Sequence, residues 1–274
     1  MMDSKTSRRL RDTAPNRDPD RAEYLESRVL SSAGFRHAFF TRRGGVSSGA
    51  YATLNFSSTV GDREENVSEN LRRAGEVLGL DSNRLFFLAQ VHGRQVHRLA
   101  GAESVQHVRS LSGDALVSLC GNLACCVRVA DCVPVLLGDA ESGGAAAAHA
   151  GWRGVVAGVV PATVKALSEV SGGQPKLVAA IGPHISKAAF EVSADVAGQL
   201  AGASSASDVV DWSWGERPHV SLKRAIRAQL QDAGVAPDRI DDVDGCTVGD
   251  RDRFFSFRRD GRQSGRHLVA IVPQ

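Results

Sequence analysis

Hydrophobic positions along this chain follow two rhythms. Short, nearly continuous apolar runs occupy residues 84–91 (RLFFLAQV), 123–129 (LACCVRV), 133–138 (VPVLLG), 177–182 (LVAAIG) and 267–272 (HLVAIV). Runs of this length without alternation predict strands covered on both faces. Other stretches repeat with a helical period. In 64–78, Val67, Leu71, Ala74 and Leu78 share one face, with Asp62 and Glu65 at capping-box spacing ahead of them and Gly79 as a stop behind. A second helix is expected over about 155–170, after GWRG. A third is expected over about 222–233, where Leu222, Ile226, Leu230 and Ala233 make a stripe ended by Gly234. The fold class is therefore α/β in the mixed sense, with β-sheets flanked by helices. Strand order does not follow from the pattern.

The first 23 residues break the rhythm. They carry five apolar side chains, no aromatic one, and both Pro15 and Pro19. That is too little apolar surface to offset the entropy of ordering, so residues 1–23 are expected to form a disordered tail and residues 24–274 a single domain. No Pro/Ser/Gly linker and no fixed-period repeat divides the remainder.

At 274 residues, 42% hydrophobic and 23% charged, the chain has ample material for a core. Thirty-three Lys and Arg against 31 Asp and Glu leave a net charge of +2, too balanced for a protein that wraps nucleic acid. No apolar run exceeds five residues, which argues against a membrane span. The N-terminal stretch mixes both charges and lacks an apolar core, so the cytoplasm is the expected compartment. Five cysteines (Cys120, Cys125, Cys126, Cys132 and Cys246), an odd number in a long unsecreted chain, argue against a disulfide framework.

Candidate chemistry concentrates in three segments, QVHG (90–93), ADCVPVL (130–136) and AHAGWRG (148–154), each with one metal-ligand type near the end of an apolar strand: His92, Cys132 and His149. Two imidazoles and one thiolate suit zinc and leave a fourth position for water. The wide spacing leaves two other readings open, core histidines with a core cysteine, or a Cys132–His149 nucleophile–base dyad. Asp131 and Gln90 stand beside ligands, where they would orient them or pass a proton; since neighbours on a strand face opposite ways, a purely structural role for Asp131 is equally open. TRRGGVSSGAYATLN (41–55) sets Arg42 beside Gly44 and Gly45 and ends in Asn55. That combination suits an anion nest and equally an ordinary glycine-rich turn. FFSFRRDG (254–261) places Arg258 behind Phe254, Phe255 and Phe257, which are most simply core. Copper oxidase chemistry finds little support, since no H-x-H pair occurs and the methionines are only Met1 and Met2. IDDVDG (240–245) lacks the ends of a calcium loop, and the signature of the zinc nucleobase deaminases is absent.

Over roughly residues 35–272 the ordered motifs FFTRRGGVSSGAYATLN, VGDREENVSENLRRAGEVLG, QVHGRQV, GDALVS, ADCVPVLL, AAAHAGWRGVVAG, AIGPHI with FEV, and FFSFRRDG resemble the bacterial YfiH family. Members have been called polyphenol-oxidase laccases, purine nucleoside phosphorylases and peptidoglycan editing factors. The resemblance implies a compact single domain of mixed sheets flanked by helices, similar to the catalytic domain of the cytotoxic necrotizing factors. Those toxins are cysteine–histidine deamidases, so the dyad stays open. The resemblance also implies zinc on His92, Cys132 and His149, with copper as the alternative metal. The activity implied is phosphorolysis of adenosine, inosine, guanosine and methylthioadenosine, with adenosine deamination beside it. Purine nucleosides and phosphate are then the partners, with no nucleic acid and no membrane. Editing of a nucleotide-linked muramyl amino acid and copper-dependent polyphenol oxidation are the alternatives. Arg42, the turn at Gly44 and Gly45, and Arg153 or Arg258 are the expected phosphate partners. The chain departs from the family at His184, where cysteine is frequent after I-G-P, so any role of that cysteine falls away.

Overall fold

A computed structural model describes residues 21–173, 175–214 and 216–274. Residues 1–20, most of the expected tail, lie outside the described residues. The end of that stretch is bound, not loose: Ala22 is buried, the Glu23 amide donates to the Arg43 carbonyl, and the Glu23 carbonyl accepts from Thr41. Backbone pairing, which apolar content does not report, holds it there.

Among the described residues the strands form two large sheets and a short ribbon. One sheet has the order Tyr24–Leu25, Arg36–Phe40, His267–Val272, Ala124–Val129, Leu85–Phe86. The other runs Ile240–Asp242, Leu177–Ile181, Val133–Asp139, Ala145–Ala150, Ala115–Ser118, Val96–Leu99. The ribbon pairs Val210–Asp211 with His219–Val220. The large sheets stack face to face over Phe35, Phe39, Phe86, Leu116, Leu136 and Val269. The helix Glu64–Leu78 covers the outer side of the first sheet through Val67, Leu71, Ala74 and Leu78. Helices Val159–Val170 and Leu222–Asp232 cover the outer side of the second. This helix–sheet–sheet–helix layering makes one mixed α/β domain. It buries the central strands on both faces, which is why their sequences read as apolar runs without alternation.

Three local expectations are corrected. The run 84–91 pairs as a strand only at Leu85–Phe86; the chain then leaves that sheet and makes one isolated bridge between Ala89 and Ser112. The helix expected over 155–170 is two helices, Trp152–Ala157 and Val159–Val170, parted by Gly158 at φ 84°, a left-handed turn that glycine adopts at little cost. No capping box forms at Asp62: its carboxylate instead accepts from Ser47, Asn55, Asn66 and the Arg63 amide, anchoring the preceding loop. The apolar strand expected to end near His149 is Ala145–Ala150, although alanine is a weak strand former. Its small side chains let the helix Val159–Val170 and the facing sheet close on both sides of it. Among the described residues no helix is long and apolar enough to cross a membrane.

Leu136 is fully buried between the two sheets. Leu136→Ala is expected to lower unfolding stability by about 2–5 kcal/mol in urea titrations; a loss below about 1 kcal/mol would mean that the facing sheets collapse onto the gap.

Candidate active site

The strands Val133–Asp139 and Ala145–Ala150 run antiparallel with Pro134 opposite His149. Cys132 stands two residues before Pro134 and so shares its face, turned towards the other sheet. Register thus makes Cys132 and His149 diagonal neighbours. His92 arrives from the loop that leaves Leu85–Phe86. The ligand atoms of the three lie within 4.8 Å of one another, and the two imidazole rings stand 4.8 Å apart at 73°. Gly151 makes the room: a Cβ there would lie 2.8 Å from the His92 ring and 3.0 Å from the Cys132 sulfur.

Two residues hold the left-handed backbone rarely adopted by side-chain-bearing residues, His92 at φ 59° and Asp131 at φ 84°. Each such conformation costs about 1–3 kcal/mol and persists only where its surroundings impose it. For His92 the clamp is Asp114, which is fully buried. Its carboxylate accepts the amides of Val91, His92 and Gly93 at 3.3, 2.9 and 2.6 Å. The same group meets His149 Nδ1 at 2.8 Å. An ionised carboxylate only accepts, so Nδ1 carries the proton and Nε2 is left for the cluster. For Asp131 the clamps are Thr247 Oγ1 at 2.6 Å and the Arg258 amide at 2.5 Å.

Charge follows from these contacts. Burial alone would raise the Asp114 carboxyl; the hydrogen bonds from His149 and the backbone outweigh it and bring its pKa below the ordinary value. Burial likewise opposes the Cys132 thiolate, but the neighbouring His149 charge and the hydrogen bonds from His149 and His92 lower the thiol to about 6. His149 loses by burial and gains more from Cys132 and Asp114, rising to about 9. In the metal-free protein the two form a thiolate–imidazolium pair near neutral pH.

The cluster opens into a cavity of about 530 Å³. Of the residues singled out in the sequence, Gln90, His92, Asp131, Cys132, His149, Arg153 and Arg258 line it. Gln90 spends both ends of its amide on the Arg128 backbone, at 2.8 and 2.7 Å, and holds that strand in place. Asp131, with both oxygens engaged, anchors the Arg258 segment. Arg42, Gly45 and Asn55 do not line the cavity. Arg42 donates to the carbonyls of Ala52 and Arg251 and stacks 4.4 Å over the Phe255 ring. A Cβ on Gly45 would lie 2.2 Å from the Thr53 carbonyl, so close chain packing demands glycine there. Asn55 is buried and bonds Ser57, Asp62 and the Arg266 amide. The 41–55 segment is a frame that carries Ser57 and Thr59 to the cavity wall. Phe254 and Phe255 are core, whereas Phe257, expected there too, is 49% exposed and lines the cavity. Arg128, Arg266 and Asp114 were missed; Asp114 lies within the GDALVS motif, and nothing in local spacing marks the two arginines.

The family model described as multi-copper polyphenol oxidoreductase laccase matches residues 36–274. The chain belongs to this family. It is similar to the purine nucleoside phosphorylases of Streptomyces coelicolor, 38% identical over 233 residues (85% of this chain, 93% of that protein), and of Deinococcus radiodurans, 38% over 235 residues (86% and 88%). Among solved structures it resembles YlmD of Geobacillus stearothermophilus, with a TM-score of 0.86 at 28% identity over 95% of this chain and 98% of that one. It also resembles the hypothetical protein YfiH of Bacillus licheniformis, with a TM-score of 0.85 at 26% identity over 94% and 98%. The laccase-domain family implies a bound metal, and the residues present fit one. A tetrahedral ion with bonds of about 2.0–2.3 Å sets its ligands roughly 3.3–3.8 Å apart, so the trio needs only a slight closing. Among the described residues this is the one group of three or more His, Cys, Asp or Glu side chains so arranged, a donor set for a single ion.

Two outcomes are expected. Asp114→Asn keeps the shape but removes the charge that orients His149, and metal affinity measured by chelator competition should fall about 10–100-fold. In the metal-free protein the ultraviolet thiolate band of Cys132 should appear as pH rises through about 6, and His149→Ala should move that midpoint up towards the ordinary thiol range. An unmoved midpoint would refute the pair.

Proposed function

We propose that this laccase-domain protein is a zinc-dependent purine nucleoside phosphorylase acting in the cytoplasm. Adenosine, inosine, guanosine and methylthioadenosine would yield the free base and ribose 1-phosphate, with adenosine deamination as a side activity. The observation that carries the reading is one cavity holding both the His92–Cys132–His149 donor set and four arginines, Arg128, Arg153, Arg258 and Arg266, against a single lining carboxylate, Asp131, among the described residues. Similarity to proteins named purine nucleoside phosphorylase supports it. A cavity of about 530 Å³ suits a small ligand with an anion beside it.

Zinc bound here supplies Lewis acidity and an activated water. The chain's own residues do the rest. Asp114 holds His149 in one tautomer and the His92 loop in one conformation. The arginines offset phosphate charge and fix the anion near the sugar, which removes entropy from the barrier. Phe190 and Phe257 offer apolar faces to a purine.

A second reading is favoured by one specific observation. Cys132, His149 and Asp114 stand in the order nucleophile, base and orienting carboxylate, and would cut an amide of a nucleotide-linked muramyl amino acid without phosphate.

Mass-spectrometric product analysis with adenosine, with and without phosphate, separates the two. Adenine and ribose 1-phosphate are expected only with phosphate, and inosine in both samples would add the deaminase. Cys132→Ala should remove bound zinc and turnover together; retained activity without zinc would sink the metal-dependent reading. A zinc-loaded protein that turns over no nucleoside would transfer the assignment to amide hydrolysis.

A further inference from the structure

The four arginines on the cavity are not equivalent. Arg153 is exposed beside the Trp152 ring, and the Arg258 guanidinium is held by the Glu191 carbonyl at 3.1 Å and lies over Phe190. Arg128 and Arg266 are more deeply set, and the first sheet aligns them. His267–Val272 pairs antiparallel with Ala124–Val129, with Leu268 opposite Arg128. Arg266, two residues before Leu268, therefore shares the face of Arg128 and lies diagonal to it.

Like charges placed together in a half-buried position call for a compensating anion; the Asp131 charge offsets Arg266 only in part, and among the described residues no carboxylate pairs with Arg128. The hydrogen-bond partners of the two guanidiniums are backbone carbonyls, Phe56 at 3.5 Å for Arg128 and Ser264 and Gly265 at 2.7 and 3.0 Å for Arg266, and Arg128 also stacks 4.3 Å over the Phe87 ring. The Nε of Arg128 is buried with no partner at all. Burial, then the charges of Arg109 and Arg266, pull the Arg128 pKa down to about 10.

The hydroxyls that complete a site are brought by the same contacts. Ser57 and Thr59 line the cavity with their side-chain oxygens 2.9 Å apart. Their loop is tied to Arg266 at both its carbonyl, which accepts from the Phe56 amide at 3.0 Å, and its amide, which donates to Asn55 at 2.8 Å. Guanidinium forks and hydroxyls are the donors that a phosphoryl oxyanion takes up.

We propose that Arg128 and Arg266, with the hydroxyls of Ser57 and Thr59, form the inorganic-phosphate subsite of the cavity. The identity of the anion as a co-substrate rests on the phosphorolytic reading; the anion site itself does not. In phosphorolysis a phosphate oxygen bonds to the anomeric carbon of the ribose as the glycosidic bond breaks. The electron pair of that bond leaves with the base, which takes up the proton that the attacking hydrogen phosphate gives up. The two arginines hold the attacking oxygen's charge in place.

Calorimetric titration of the zinc-loaded protein with inorganic phosphate, without nucleoside, tests the subsite directly. Arg128→Gln and Arg266→Gln should each weaken phosphate roughly ten- to a hundredfold, the usual worth of a charge-assisted hydrogen bond. Arg266→Lys should recover part of the loss, because it restores charge without the fork. Zinc content and thermal unfolding report whether the Arg128 variant folds. Thr59→Glu, at an exposed position, buries nothing and should weaken phosphate by repulsion. Unchanged phosphate affinity in both Arg266→Gln and Thr59→Glu overturns the subsite. Phosphorolysis whose KM for phosphate is unmoved by these variants also overturns it while leaving the phosphorylase reading intact. Phosphate binding that falls in the variants, in a protein that phosphorolyses no nucleoside, upholds the subsite and ends that reading. Displacement of phosphate by a nucleoside monophosphate but not by adenosine assigns the arginines to a nucleotide's own phosphate and overturns the co-substrate role.

Discussion

Asp114 sits out of solvent at the end of the Ala115–Ser118 strand, and everything at the site depends on how its charge is spent. Three backbone amides of the segment 91–93 and one imidazole close around it. Without the carboxylate those amides would be buried or half-buried donors with nothing to accept them, and the left-handed backbone of His92 would have no restraint. One group thus joins a loop leaving the first sheet to a histidine in the second. The donor set exists because that junction is rigid.

Charge is distributed around the cavity with the same economy. At the cluster, thiolate and carboxylate face two imidazoles. At the other wall, arginines gather without salt-bridge partners among the described residues, and the one carboxylate there that lines the cavity, Asp131, is turned into backbone and hydroxyl contacts. A protein that only needed stability would pair or remove such cations, since a half-buried guanidinium without a counter-ion is a cost. Retaining them makes sense for a cavity that takes an anion.

Glycine-rich and arginine-rich stretches do not by themselves locate the cavity. The 41–55 segment has the composition of an anion nest or of an ordinary glycine-rich turn, and its Arg42 and Asn55 turn inward and hold the loop that delivers Ser57 and Thr59. Arg128, embedded in the apolar run LACCVRV, carries no local mark of function, yet it lines the cavity. Composition reports which groups are available. It does not report which way they point.

What the sequence determined by itself was the set of apolar runs that became the central strands, the helix faces at Glu64–Leu78 and Leu222–Asp232, and, through ordered motifs, the residues His92, Cys132 and His149. These are legible because burial on both faces and helical periodicity leave local traces. The tertiary structure alone decided that the three ligand atoms converge, that Asp114 clamps them, and that Arg128 and Arg266 share one wall. Those outcomes depend on strand register, because each residue's face alternates along a strand and a slip of one position reverses it. Register is set by pairing between segments far apart in the chain, and no local pattern carries it.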